Sequence, residues 1–332
     1  MKQFLEKAMN GYRFVLVPVA EIAAEDETFR VALDPPEASL RASVAAHGLL
    51  QPLRLQLRAD GRYRLVSGFK RFHLVHELGW EQVPALVVSE RQNDLALYTS
   101  SLQERLAAPK PLSPLEIAEV LSKLRAVFAL SEEIVVRDFM PSLGLGRNRI
   151  WLERYLPLSG LDERSKTELL REGLSLDVVF ALPALAAEER HHLLDLFKAL
   201  RLGKNKQSEM YSLIRDVCRM QRRSIGALLQ QQGLAEILAD VELTSTQKAE
   251  RCKELLMRLR YPHFSRALQA FHDLLKEAGV PPALRISPSP FFNSEEVSIA
   301  FSFKDENEFR RWMGELQRLD AEGVIEKLVH LP

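Results

Sequence analysis

The segment 53–67 constrains this chain more than any other. Leu53, Leu55 and Leu57 alternate with Arg54, Gln56 and Arg58, and after Asp60-Gly61 the alternation resumes at Tyr63, Leu65 and Ser67. A period of two on either side of Asp-Gly predicts a half-buried β-hairpin. The return strand runs straight into Gly68, and the residues after it predict a helix through Leu78, stopped at Gly79. A hairpin that turns into a helix through one glycine requires a mixed domain. The flanks agree: Tyr12–Val17 reads as a strand closed by Pro18, and Val83–Val88 as another. Between them, Asp34-Pro35-Pro36-Glu37 predicts an N-cap, a proline first turn and a capping-box glutamate. Leu40, Val44 and His47 then continue the helix to Gly48.

Chemistry in this part concentrates at Ser67-Gly68-Phe69-Lys70-Arg71. Glycine at a strand-to-helix junction leaves backbone N–H groups open at the positive end of the helix dipole. Lys70 and Arg71 can complete an anion site there. The same residues also fit an ordinary glycine turn with solvated cations.

The order of these elements carries a resemblance. Gly48-Leu49-Leu50-Gln51-Pro52, the hairpin, Gly68-Phe69-Lys70-Arg71, Leu78-Gly79 and Val83-Pro84 resemble the N-terminal domain of the ParB family of DNA-segregation proteins. The family's pattern is G-x-x-Q-P, a hairpin, G-E-R-R, then L-G and V-P. What the resemblance implies is a ParB/sulfiredoxin-like nucleotide-binding domain, with CTP and Mg²⁺ as candidate ligands. Gln51, Ser67, Gly68, Lys70, Arg71 and Arg105 would line the site. Two departures stand out. Phe69 replaces the family glutamate, with Lys70 for the first arginine. Where E-N-x-x-R is due, the chain reads Ser100-Ser101-Leu102-Gln103-Glu104-Arg105. Loss of hard oxygen ligands implies nucleotide binding with weak or absent hydrolysis.

After an Ala107–Pro111 linker, Ser113-Pro114-Leu115-Glu116 is a capping box that starts a helix to about Phe128. Ser131 is expected to cap a helix through Phe139. Pro141, Gly144 and Gly146 then interrupt the chain before Arg147-Asn148-Arg149, where Ile150, Leu152, Tyr155 and Leu156 can face inward. This reads either as a helix-turn-helix or as a helical hairpin with a solvated basic end. In the first case Arg147, Asn148, Arg149 and Arg154 are candidate contacts to double-stranded DNA. ParB proteins place a helix-turn-helix directly after S-P-x-E, so the resemblance favours that reading. A further basic stretch holds Arg201, Lys204, Lys206, Arg215, Arg219, Arg222 and Arg223 against Glu209 and Asp216. It suits phosphate neutralisation or a solvated helix face.

The last third predicts helices at about 246–260 and 263–278, strands at Leu284–Ile286 and Val297–Phe303, and an amphipathic helix Glu306–Leu319. Phe309, Trp312, Met313 and Leu316 share one face of that helix. This strand-strand-helix module suits homodimerisation, as at the end of ParB proteins, or packing on the chain's own helices. The expected fold class is therefore α+β in three domains. These are a ParB-like domain at 1–107, an all-helical helix-turn-helix domain at 108–232, and an interaction or dimerisation domain at 233–332.

Composition narrows function further. With 45 basic and 45 acidic residues the formal net charge is zero, so any nucleic-acid contact has to come from a local basic face. No apolar run approaches a membrane span, the opening MKQFLEKAMNGYR has no leader-like apolar core, and Cys218 and Cys252 support no disulfide framework. The expected location is cytoplasmic and nucleoid-associated, with a partition ATPase as a candidate partner. His73, His76 and Glu77 share a helix face, but with no further ligand cluster in the sequence no metal site is expected. Two other classes fit the departures: a nucleotide-dependent enzyme on the same scaffold, and a degenerate protein–protein adaptor.

Overall fold

The computed structural model describes residues 11–171, 173–289 and 296–330. The opening segment read above as lacking a leader core lies mostly outside them. The fold is α+β, in two compact units divided after His191.

The first unit is built on a four-stranded sheet of order β1-β4-β2-β3, with β1 at Arg13–Pro18, β2 at Leu53–Leu57, β3 at Tyr63–Ser67 and β4 at Gln82–Val88. β2 and β3 form the expected hairpin. β4 inserts parallel to β2 and antiparallel to β1, pairing Arg13 with Val87. Helices α1 (Ala38–His47) and α2 (Phe69–Glu77) contribute Val44, Phe72, Leu74 and Val75 to a core with Val17, Leu53, Leu55, Leu65, Val83 and Ala85. The opposite face meets α3 (Asp94–Leu106), a helix the sequence patterning did not indicate.

Helix α3 explains one departure from expectation. β2 is not half-buried with its polar residues in water: Gln56 is only 2% exposed. Its side chain bonds to the Gln92 carbonyl and Asp94 at the start of α3 and accepts from Arg64. A second correction concerns α1. Its N-cap is Glu37, without any side-chain cap bond, and Asp34 stands outside the helix. Both carboxylates accept instead from Lys70, a charged partner worth more than a neutral backbone N–H.

The helical segment begins at α4 (Pro114–Ala126), whose capping box forms as expected between Ser113 and Glu116. Glu116 is also 2% exposed, and it takes more than a cap. Arg105 from the end of α3 and the Leu33 amide both donate to it. The helix expected through Phe139 is shorter: α5 (Glu132–Ile134) is capped by Ser131 and runs into a π turn at Val135–Phe139 and a 3₁₀ turn at Met140–Leu143. Then follow α6 (Arg149–Tyr155), α7 (Glu163–Leu170), α8 (Leu176–Ala181) and α9 (Ala187–Leu200). In α6, Leu152 and Tyr155 are buried as expected. Ile150, expected to face inward, is exposed in the first turn of α6.

The second unit holds α10 (Lys204–Gln221), α11 (Ile225–Leu229), α12 (Leu234–Ala239), α13 (Ser245–Arg260) and α14 (Pro262–Glu277). Ion pairs Lys206–Glu250, Glu209–Lys253 and Asp216–Arg260 keep a constant offset, so α10 and α13 run in the same direction. A two-stranded sheet of β5 (Arg285–Pro288) and β6 (Val297–Ala300) is followed by α15 (Glu306–Ala321) and α16 (Val324–Val329). Phe271, Leu284, Ile286, Leu319, Val324 and Leu328 form its core. β6 ends at Ala300 rather than Phe303, and Phe303 stacks edge-on against Phe309. The expected apolar face of α15 is split: Trp312 is buried while Phe309 and Met313 are exposed.

One half-buried cation ties the sheet unit's loop to its helices. Lys123 Nζ on α4 donates to the carbonyls of Glu27 (2.5 Å) and Arg30 (2.8 Å). Burial pushes its pKa down from 10.5 to about 8, against the pull of Glu27 and Glu119. Between those two values the unfolded chain binds the proton and the folded chain does not, so stability rises with pH there. Urea unfolding of the native chain should show that rise from about pH 8 toward 10.5, and Lys123→Met should abolish it.

Candidate functional site

The junction between β3 and α2 shapes the most developed cleft. Gly68 takes φ +98°, a left-handed conformation open to glycine, and as N-cap it offers α2 no side-chain bond. The first-turn N–H groups of α2 are therefore left uncapped at the positive end of its dipole. A Cβ at Gly68 would lie 2.8 Å from Leu53 Cδ2 and 3.3 Å from Arg71 Nη2. Beside this junction opens a cavity of about 340 Å³. All six residues expected to bind nucleotide line it: Gln51, Ser67, Gly68, Lys70, Arg71 and Arg105. Asp34, Glu37, Glu104 and Lys110, which the sequence reading did not place there, line it too.

The charges of the cleft are largely matched internally. Lys70 Nζ sits 2.9 Å from Asp34 Oδ2 and 2.6 Å from Glu37 Oε1. Burial works to lower the Lys70 pKa, but its bonds to Glu37 and Asp34 win and hold it above the usual lysine range. Burial would raise the Asp34 carboxyl, and Lys70 and Lys110 hold it below the usual range. Bonding to Lys70 likewise holds Glu37 down. Arg71 donates to the carbonyls of Gln51 (2.8 Å) and Pro52 (3.1 Å), so the loop before β2 is fastened to α2. Burial pushes its pKa down, opposed by Glu104. Arg105 is committed elsewhere, to the Lys110 carbonyl (2.6 Å) and to Glu116 (3.1 Å). It braces α3 against α4 rather than standing free as a counter-charge.

The wall where metal-ligating oxygens are due is occupied by other bonds. Arg54 takes Glu104 (3.1 Å) and Ser100 (2.9 Å), while Ser101 is buried and donates to the Phe29 carbonyl at 3.5 Å. Among the described residues no group of three His, Cys, Asp or Glu side chains is placed to hold a metal ion.

At the second candidate site, α6 presents its start to solvent. Arg147 is exposed, and its charge helps hold the Asp138 carboxyl below its usual range, after the direct bond from Arg137. Asn148 is the N-cap of α6, and its Oδ1 accepts from the Ile150 amide at 3.0 Å. Arg149 pairs with Glu132 (2.6 Å) and Glu153 (3.0 Å). Arg154 lies over the rings of Trp151 and Phe180. The four residues therefore surround one helix start, with Arg147 the least committed of them.

Residues 5–103 match the family model of the ParB N-terminal domain. Over these residues the chain is similar to the N-terminal domain of the ParB family. It is 29% identical over 150 residues to the nucleoid occlusion proteins of Bacillus thuringiensis (strain Al Hakam) and Bacillus cereus (strain B4264). Each alignment covers 45% of this chain and 49% of the relative. The chain thus spans about half the length of the curated relatives it matches. Two solved structures of the C-terminally truncated chromosome-partitioning protein ParB from Caulobacter crescentus also align. The complex with CTP-gamma-S shows 20% identity and a TM-score of 0.26, covering 55% of this chain and 97% of that one. The complex with the centromeric parS site shows 18% identity and a TM-score of 0.31, covering 58% and 96%.

In this ParB domain the acidic partners of Lys70 were hidden by their own local pattern. Asp34-Pro35-Pro36-Glu37 fits a helix start, and that local pattern carries no mark of a long-range ion pair. The signal available was two carboxylates in a domain whose basic pair, Lys70 and Arg71, sits at a helix N-terminus. Because Gly68 carries both the backbone conformation and the close approach, Gly68→Ala should destabilise the chain by about 1–3 kcal/mol in chemical denaturation. Ser67→Ala, which leaves that conformation alone, should cost less.

Proposed function

We propose that this chain is a ParB-type DNA-binding protein whose N-terminal cleft takes a nucleoside triphosphate, CTP by the family resemblance, with little or no hydrolysis. The observation that carries this reading is the convergence of Gln51, Ser67, Gly68, Lys70 and Arg71 on one cavity at an uncapped helix start. Helix-terminus N–H groups and two cations suit a polyphosphate. Weak binding follows from the pairing of Lys70 with Asp34 and Glu37, which a phosphate has to displace. Slow turnover follows from Phe69, which has no carboxylate to offer, and from Glu104, which is bound to Arg54. Arg105 serves the proposed site by holding its wall, and the cleft carboxylates Asp34, Glu37 and Glu104 are engaged by Lys70 and Arg54.

Duplex DNA is the proposed partner of the α6 start, with Arg147 toward a base edge and Arg149 and Arg154 at its flank. Asn148 supports that helix start as its cap. The Caulobacter protein bound to parS and the nucleoid occlusion relatives support this reading, as does the order of a ParB domain followed by a helical segment. We further propose functional segments at 1–107, 108–232 and 233–332. The last would dimerise through the exposed Ile299, Phe303, Phe309 and Met313. A cytoplasmic, nucleoid-associated location and a partition ATPase partner belong to the same proposal. Among the described residues no helix is long and apolar enough to cross a membrane.

Calorimetry with CTP, ATP and GTP tests the cleft. Weak heats with CTP that vanish in Arg71→Ala, with a matching thermal midpoint in Arg71→Lys, are expected. Equal heats in native and Arg71→Ala chains would move the phosphate site away from Gly68, and rapid phosphate release would refute the claim on hydrolysis. No heat with any nucleotide would favour the adaptor, to which the internal pairing of Lys70 already gives weight. For DNA, a mobility shift on fragments of the native replicon should show a preferred site. Arg147→Ala should cost about 1–3 kcal/mol of discrimination at that site.

A further inference from the structure

The basic stretch 201–223 takes part in none of the sites described above. It coincides with α10 and its two ends. Lys204, Arg215 and Arg219 recur at helical spacing on one face, with Arg201 just before the helix and Arg222 and Arg223 just after it. All six are exposed. The acidic residues within α10 do not offset them. Glu209 is turned to Lys253 (2.8 Å), and Asp216 to Arg260 (3.1 Å) on α13, with a looser 3.4 Å contact to Arg215. Among the described residues, Arg201, Lys204, Arg219, Arg222 and Arg223 make no ion pair.

Helix stability does not account for this arrangement. Arginines in a last turn complement the helix dipole, which covers Arg219. Lys204 opens the first turn of α10, where a cation opposes the dipole and where no acidic residue compensates it. Arg201 and Arg222 hold φ +49° and +52°, left-handed positions that glycine or asparagine would fill with less strain. Three cations are thus kept at a local cost, at both ends of one stripe. At 1.5 Å per residue, the 18 residues of α10 extend about 27 Å. Exposed guanidinium groups over that length match a row of phosphates, each bidentate fork reaching one phosphate oxygen pair.

We infer that this face of α10 is a sequence-independent contact for the phosphate backbone of duplex DNA, additional to the α6 start. The inference rests on the reading of the chain as DNA-binding. It adds a second surface with a different task, holding DNA of any sequence by counterion release.

The test uses the full chain and Arg219→Gln/Arg222→Gln/Arg223→Gln, with binding to a random-sequence duplex and to the preferred site measured across a salt series. Each phosphate contact contributes about 0.9 to the slope of log affinity against log salt, so losing three should flatten the slope by about 2.7. Raising salt from 50 to 200 mM should then weaken the native chain about 40-fold more than the variant. The variant should keep its thermal midpoint and its preference for the specific site, which Arg147→Ala should lose. An unchanged slope with intact site preference overturns the α10 surface and leaves the α6 reading standing. A flattened slope in a chain with no site preference sustains α10 and refutes α6, and no duplex binding at low salt refutes both. Binding of polyglutamate as tightly as duplex DNA would assign the face to an acidic protein and overturn the DNA assignment.

Discussion

The left-handed turn at Gly68 is the constraint on which the first unit depends. It lets the chain leave the sheet and start a helix in one residue, and the Leu53 and Arg71 side chains both close on the place where a Cβ would stand. Arg71 then reaches the Gln51 and Pro52 carbonyls, which fixes the entry to β2. Lys70, one residue earlier, points to the other side and gathers Asp34 and Glu37. Two loops distant in sequence are thus anchored on the first turn of one short helix. The same glycine supplies no cap, so the positive end of that helix remains directed at the cavity.

A second hub sits where α3 meets α4. Glu116 is nearly inaccessible and would be costly as an isolated charge. It is stabilised by the Ser113 amide within its own capping box, by Arg105 and by the Leu33 amide. A residue recognisable as a local helix-start signal therefore also joins the ParB domain to the helical segment that follows. Lys123, two turns along the same helix, repeats the connection through the Glu27 and Arg30 carbonyls. The cleft and the helical segment within this unit share a structural frame.

What the sequence disclosed was governed by range. The hairpin, the Gly68 helix, the Gly48 stop and the Ser113 capping box depend on residues within a few positions of one another, and each was legible. So was part of the cleft's lining, because Gln51, Ser67, Gly68, Lys70 and Arg71 lie in or beside recognisable motifs. Partnerships across tens of residues were not: Lys70 with Asp34, Arg54 with Glu104, and Arg105 with Glu116 depend on the packing of α1 and α3. Asn148 shows the same limit within one turn. Its amide suits an adenine edge and a helix cap, and in the structure its Oδ1 accepts from the Ile150 amide as the cap of α6. Ile150 itself fits an inward position by periodicity but is exposed in the structure.

The strand order carries a consequence for how the chain acquires this structure. β2 and β3 are joined by a tight turn and can close on each other early, whereas β1 has no partner until β4 arrives, since Arg13 pairs with Val87. Closing that long loop carries an entropic penalty before its contacts form, which slows the step relative to the hairpin. During synthesis, β1 waits through the whole of α1, the hairpin and α2 as an unpaired strand bearing Phe14 and Leu16, which stay exposed even in the finished fold. An edge of this kind is where an incomplete chain pairs with the wrong neighbour. The vulnerable period of this protein therefore lies between emergence of Arg13 and of Val88, and a pause in translation inside that interval would favour aggregation over folding.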